Sequence, residues 1–106
     1  MNTEHEIIGT AWKGGTFGIK ISATDRDNYF RREWKTVRLI IRDFGNIIVN
    51  IDKDSFWNDT CRELISVHLG NWMIAEHLAP WPRGNPPRFT LRPRSPGDFE
   101  VQPIRP

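Results

Sequence analysis

Arginine dominates the side chains of this protein that can act on a partner. Of its fifteen cationic residues, eleven are Arg. Arg presents a planar fork of donors that matches two phosphate oxygens or the O6/N7 edge of guanine, where Lys offers only a point charge. Eight cations fall in one stretch: Lys13, Lys20, Arg26, Arg31, Arg32, Lys35, Arg38 and Arg42, against Asp25, Asp27 and Glu33. The formal charge is −2 over residues 1–12, +5 over 13–42, −4 over 43–79 and +3 over 80–106, so the net +2 conceals two basic segments around an acidic middle. If the fold brings the basic segments together, they make a face that neutralises a phosphate backbone; left apart, they are an ordinary mixed-charge surface. Within the first segment, Arg31 and Arg32 are either a phosphate clamp or a favourable charge at a helix C-terminus. The Phe56-Trp57 pair, followed by Asn58, is either an aromatic platform in a base-reading loop or two rings folded back over the core, and the cost of leaving Trp in water favours the second.

Covalent and metal chemistry find little support. Glu33-Trp34-Lys35 spells the E-x-K half of a metal-dependent nuclease core, in which a carboxylate and a Lys flank the scissile phosphate. Such a core needs a further acid upstream at a strand end, and Asp25 and Asp27 sit too close, in a helical pattern. Asp52-Lys53-Asp54 reads as a solvated turn. His5, His68 and His77 have no metal spacing; on one helix His68 and His77 would point about 180° apart. Cys61, as the only cysteine, excludes an internal disulfide, and reads as a small residue in a helix first turn. Gly14-Gly15-x-x-Gly18 lacks the Lys-Ser/Thr of a phosphate loop. No cofactor or metal is expected.

The elements that position these residues follow from patterning. A chain of 106 residues supports one domain, expected over 1–106 with a core over about 6–102 and short flexible ends. Twelve aromatics, five of them Trp, argue against disorder. No run approaches a membrane span, and the first residues lack a signal peptide plan, so a soluble cytoplasmic protein is expected. Residues 6–12 and 16–21 flank Gly14-Gly15 as a hairpin. Thr24 predicts the N-cap of a helix over 24–33, with Tyr29 and Phe30 pinning it to the core. Residues 35–42 alternate Val37, Leu39 and Ile41 against Arg38 and Arg42, and return through Asp43–Asn46 into a strand over 47–51. Thr60-x-x-Glu63 predicts a capping box opening a helix to about Leu78, with Leu64, Val67, Asn71, Ile74 and Leu78 on one face, extended by Ile65, Leu69 and Trp72, and Gly70 a weak point. Pro80 and Pro82 stop it. Strands over 88–92 and 99–101 follow. Trp12, Trp34 and Trp72 are expected in the core, with Trp81 packed on the helix end. The pattern predicts an α+β, mostly β fold: a small antiparallel pseudobarrel of about six or seven strands with two helices.

The order GIKI, NYF, KTVRLIIRDFGNIIVNI, SFW, GNWMIAEHLAPWPRG and PRFTLRP resembles the DNA-binding pseudobarrel superfamily, which includes plant auxin-response-type DNA-binding domains and restriction-endonuclease recognition domains. Val37 and Leu39 match its V-x-L strand, Gly45 its turn, Trp72 to Leu78 its Trp-bearing helix, and Phe89 and Leu91 its V-x-F-x-L strand. Residues 79–84 depart from it, replacing a Gly-Asp turn with a longer Pro-rich one, which leaves the register of the last two strands open. The resemblance implies a non-catalytic module that grips the major groove of double-stranded DNA with two arms. By position, the first arm uses Lys13, Lys20, Arg26, Arg31, Arg32 and Lys35, and the second Lys53, Ser55, Trp57 and Asn58. It would suit a microbial or phage regulator or a defence or restriction-type system. The alternative from a different class is a protein-interaction adaptor anchored by Phe56, Trp57 and Trp81; a metal-dependent nuclease is the third.

Overall fold

Strict alternation of apolar and polar residues decides which segments are strands and which way each faces. In β1 (Ile7–Lys13), Ile7, Gly9 and Ala11 turn inward while Ile8, Thr10 and Trp12 turn out. In β3 (Thr36–Ile41) Val37, Leu39 and Ile41 are buried, and in β4 (Gly45–Asn50) Ile47 and Val49 are. This computed structural model describes residues 6–58 and 62–105. The remaining elements are β2 (Phe17–Lys20), α1 (Ala23–Tyr29), α2 (Asp54–Trp57), β5 (Glu63–Ile65), α3 (Val67–Ala75), β6 (Arg88–Ser95) and β7 (Asp98–Ile104). The strands form one sheet in the order β4-β3-β7-β6-β1-β2-β5. It curls until its outer strands β4 and β5 lie against each other, a nearly closed, barrel-like arrangement. The mostly β, α+β pseudobarrel expected from patterning is the fold observed.

One buried cluster fills the barrel, drawing Ile7, Ile19, Leu39, Val49, Leu64, Phe89, Leu91 and Phe99 from its wall and Phe30, Phe56, Leu69 and Met73 from the connections. Phe30 stacks on Phe99 at 4.6 Å between centroids and meets Phe56 edge-on at 5.3 Å, so the rings beyond α1 and in α2 close one end. The β3–β4 turn places Asp43 at φ 65 and Gly45 at φ 133, and only glycine tolerates the latter cheaply.

Several expectations are corrected. One pair, β3 with β7, is parallel, with Leu39 opposite Phe99, so the sheet is not wholly antiparallel. Among the described residues there are three helices, because residues 54–57 form a turn of helix where a loop was expected. Ser22, not Thr24, caps α1: its Oγ accepts from the Asp25 amide at 3.1 Å. The helix ends at Tyr29, so Arg31 and Arg32 lie beyond it rather than in its last turn.

Glu63 does not sit in a helix. Residues 63–65 form a strand because the edge of β2 needs a partner, and Leu64 pairs with Ile19 and is fully buried there. The helix starts after that strand, its cap six residues beyond the expected Thr60, with Ser66 accepting from the His68 amide. That shift turns it, so Leu69, Gly70, Trp72 and Met73 face inward while Val67 and Ile74 are exposed. Leu78 lies outside it. Gly70 does not split the helix; a Cβ there would come within 2.5 Å of Thr16 Oγ1, so its bareness lets α3 press on the β1–β2 turn. Trp72 is buried, but Trp12 and Trp34 are only half-buried, Trp12 because it falls on the outward side of β1. Trp81 packs against the core and touches Phe17. The hydroxyl of Thr60, the thiol of Cys61 and the chain ends lie outside the described residues. Among the described residues no helix is long and apolar enough to cross a membrane.

Candidate nucleic-acid interface

Strand directions sort the candidate residues between two ends of the barrel. β2, β4 and β6 finish, and β3, β5 and β7 begin, at the end that carries α1 and α2. The opposite end carries the β1–β2 and β3–β4 turns, α3 and the Pro-rich segment 79–87. Lys20, Arg26, Arg31, Arg32, Lys35, Lys53, Ser55, Trp57 and Asn58 all belong to the α1–α2 end. Lys13 does not: it ends β1 opposite Phe17, at the far end of the barrel.

The two segments assigned to separate arms are joined through Arg26. It is buried (5% exposed), and its Nη1 donates to the carbonyls of Phe56 at 3.2 Å and Asn58 at 2.7 Å, while Nε donates to Asp27 at 3.0 Å. Its guanidinium is thus engaged in holding the α2 carbonyls, which places Arg26 inside the barrel end rather than on its surface. Beside it, Arg32 lies over the Trp57 ring at 5.3 Å, with Arg26 at 5.7 Å from the same ring. The indole N–H of Trp57 donates to the Ile51 carbonyl at 2.9 Å, and its ring packs edge-on against Phe56. Cation–π contact and a hydrogen bond thus fix Trp57 half-buried, with an exposed arginine laid across it.

Around this joint the other candidate groups share the same end of the barrel. Arg31 and Arg32 are exposed, Arg31 with Glu33 at the limit of ion-pair distance, 4.0 Å. Lys35 is exposed, and its carbonyl accepts from the Ile51 amide, which fastens the segment after α1 to the end of β4. Lys53 precedes α2 and Ser55 lies within it, both half-buried, and Asn58 ends the helix with its side chain exposed. Lys20 is half-buried on the outward side of β2, opposite Glu63 in the register. Asp25, Asp27, Glu33, Asp52 and Asp54 share this end, so its attraction for an anion is local to the Arg31–Lys35 edge rather than general.

The remaining arginines are mostly committed elsewhere. On the outer face of the sheet Arg38 pairs with Asp98, Arg92 with Glu6 and Arg94 with Glu100. The Arg94 hydrogen bond holds the Glu100 carboxyl below its ordinary value of 4.5, helped by the charges of Arg94, Arg92 and Arg42 and opposed by partial burial. Sequence reasoning missed Arg62, whose Nε donates to the Ile21 carbonyl and ties the start of β5 to the end of β2.

Phe56 is fully buried, which removes it as an exposed anchor, and Trp57 and Trp81 lie at opposite ends of the barrel, so the three rings share no surface patch. Among the described residues no three His, Cys, Asp or Glu side chains converge as a metal site. Neither a protein-family model nor a curated protein nor a solved structure matches this chain.

Proposed function

We propose that this protein is a non-catalytic, double-stranded DNA-binding pseudobarrel module that meets the duplex with its α1–α2 end. The observation that carries this is the joint itself. Arg26 clamps the α2 carbonyls and Arg32 stacks on Trp57, so two segments about thirty residues apart become one preorganised edge presenting Arg31, Arg32, Lys35 and Lys53. Preorganised cations lose little side-chain entropy on meeting phosphate. In this arrangement Arg31, Lys35 and Lys53 fix the position on the backbone, and Arg32 and the Asn58 amide supply the fork and donor–acceptor pair that read base edges in the major groove. Lys20 adds charge at the rim; Lys13 and Arg26 make no contact.

Replacing Arg31 and Arg32 together by Ala tests this. Both are exposed, so the loss of stability should not exceed the roughly 0.5–1 kcal/mol of one exposed cation–π contact, while affinity for a labelled duplex, read by fluorescence anisotropy, should fall at least about tenfold. Unchanged affinity would remove the edge from the interface.

A further inference from the structure

A cleft of about 450 Å³ opens at the other end of the barrel, bounded by the Pro-rich connection, the residues after α3 and the last strand. Leu78, Pro80, Trp81, Pro82, Pro86, Pro87 and Ile104 supply its apolar walls. Its volume falls in the range of small-molecule sites, which are commonly apolar with a few placed polar groups. Here those groups are Arg88, Arg105, His77 and Asn85, and among the described residues no Asp or Glu side chain lines the cleft.

The walls are held in place independently of any ligand. Trp81 packs on the core and touches Phe17 with 5.5 Å between ring centroids. The Pro87 carbonyl accepts from the Ala11 amide at 2.8 Å, which ties the Pro-rich connection to β1. The two arginines are not equivalent. Arg105 donates to Glu76 at 3.4 Å. Arg88 begins β6 on the outward side, opposite Thr10 on one neighbour and Ile104 on the other, so neither flanking strand offers it a carboxylate. It makes no ion pair among the described residues.

A cleft whose lining is about half apolar, and which carries a guanidinium with no ion pair among the described residues, is complementary to an apolar body carrying one carboxylate, because the Arg fork takes a carboxylate bidentately. We propose that this cleft binds a small aromatic or aliphatic carboxylate, its body against Trp81 and the prolines and its carboxylate on Arg88. The cleft and the α1–α2 edge lie at opposite ends of the barrel, so this proposal and the DNA-binding one stand or fall separately.

The test is titration of the full chain with 1-naphthoate, followed by ¹H–¹⁵N spectra, with neutral 1-naphthylmethanol and a short peptide ending in a free Phe carboxylate alongside. Saturable shifts for 1-naphthoate at residues 77–88 and 104–105, with binding weakened about tenfold for the alcohol and by a similar factor in Arg88→Ala, are expected. A Trp81→Phe variant should keep the shifts, since the wall stays aromatic. No saturable shift, equal binding of acid and alcohol, or indifference to Arg88→Ala would overturn the proposal. So would a peptide that binds more tightly than 1-naphthoate, which would make the cleft a site for chain termini, or a DNA duplex that displaces 1-naphthoate.

Discussion

Arg26 bridges 30 and 32 residues of sequence to the Phe56 and Asn58 carbonyls, and those two bonds make the α1–α2 end one piece. Arg26→Met keeps most of the volume but leaves both acceptors without a donor, which should cost about 1–3 kcal/mol in urea denaturation. DNA affinity should fall with it, because the Trp57 segment loosens. The Arg31/Arg32 double variant should separate from it by losing affinity with a smaller loss of stability. Stability unchanged in Arg26→Met would mean that α2 is held by its packing alone. On the sheet's outer face, Glu100 has its carboxyl lowered by the Arg94 hydrogen bond. A lowered carboxylate contributes stability that is complete above its ordinary value of 4.5 and is lost as pH falls through the folded value. Wild type should therefore lose its advantage over Glu100→Gln as the pH drops below that point; a difference independent of pH between 3 and 6, roughly the carboxylate window, would contradict the assignment.

Close backbone approach governs how the elements join. Gly18 pairs with Ile65, and a Cβ there would sit 2.6 Å from the Leu64 carbonyl oxygen. Backbone cannot step aside as a side-chain tip can, so Gly18→Ala should push β5 from β2 and destabilise the protein by about 1–3 kcal/mol in thermal or chemical unfolding. An unchanged midpoint would mean that β5 is held only loosely. The hairpins, the inward faces of β3 and β4, and the roles of Phe30 and Trp72 were legible in the sequence because period-2 alternation and turn glycines are local signals. The β5–α3 boundary was not: Glu63-Leu64-Ile65 fits a helix start as well as a strand, and what decides it is the open edge of β2, more than forty residues upstream. The parallel β3–β7 pair was likewise hidden, since nothing local says which edge the final hairpin joins. At the site, the exposed Arg31, Arg32 and Lys35 could be found from charge alone. The burial of Arg26 could not, because its partners are carbonyls, which every residue carries.

At the level of the whole molecule, the barrel separates two surfaces of different chemistry. One end gathers Arg31, Arg32, Lys35, Lys53 and the stacked Trp57; the other holds the Trp81 cleft, and Lys13 goes with that second end. The protein's longest dimensions are 34 Å, about one turn of duplex, so on the proposed reading a single copy would cover a short site from one side. If the α1–α2 edge meets DNA as proposed, each phosphate it neutralises would release condensed counterions, and that release would set how affinity depends on salt. The most direct measurement is therefore a salt titration of binding to a mixed-sequence labelled DNA duplex, with single-stranded RNA of equal length beside it. With Arg31, Lys35 and Lys53 on phosphate and Arg32 on a base edge, log affinity should fall against log salt with a slope of about −3, and the duplex should bind more tightly than the RNA. No duplex binding at low salt, or binding that ignores salt, would contradict the account.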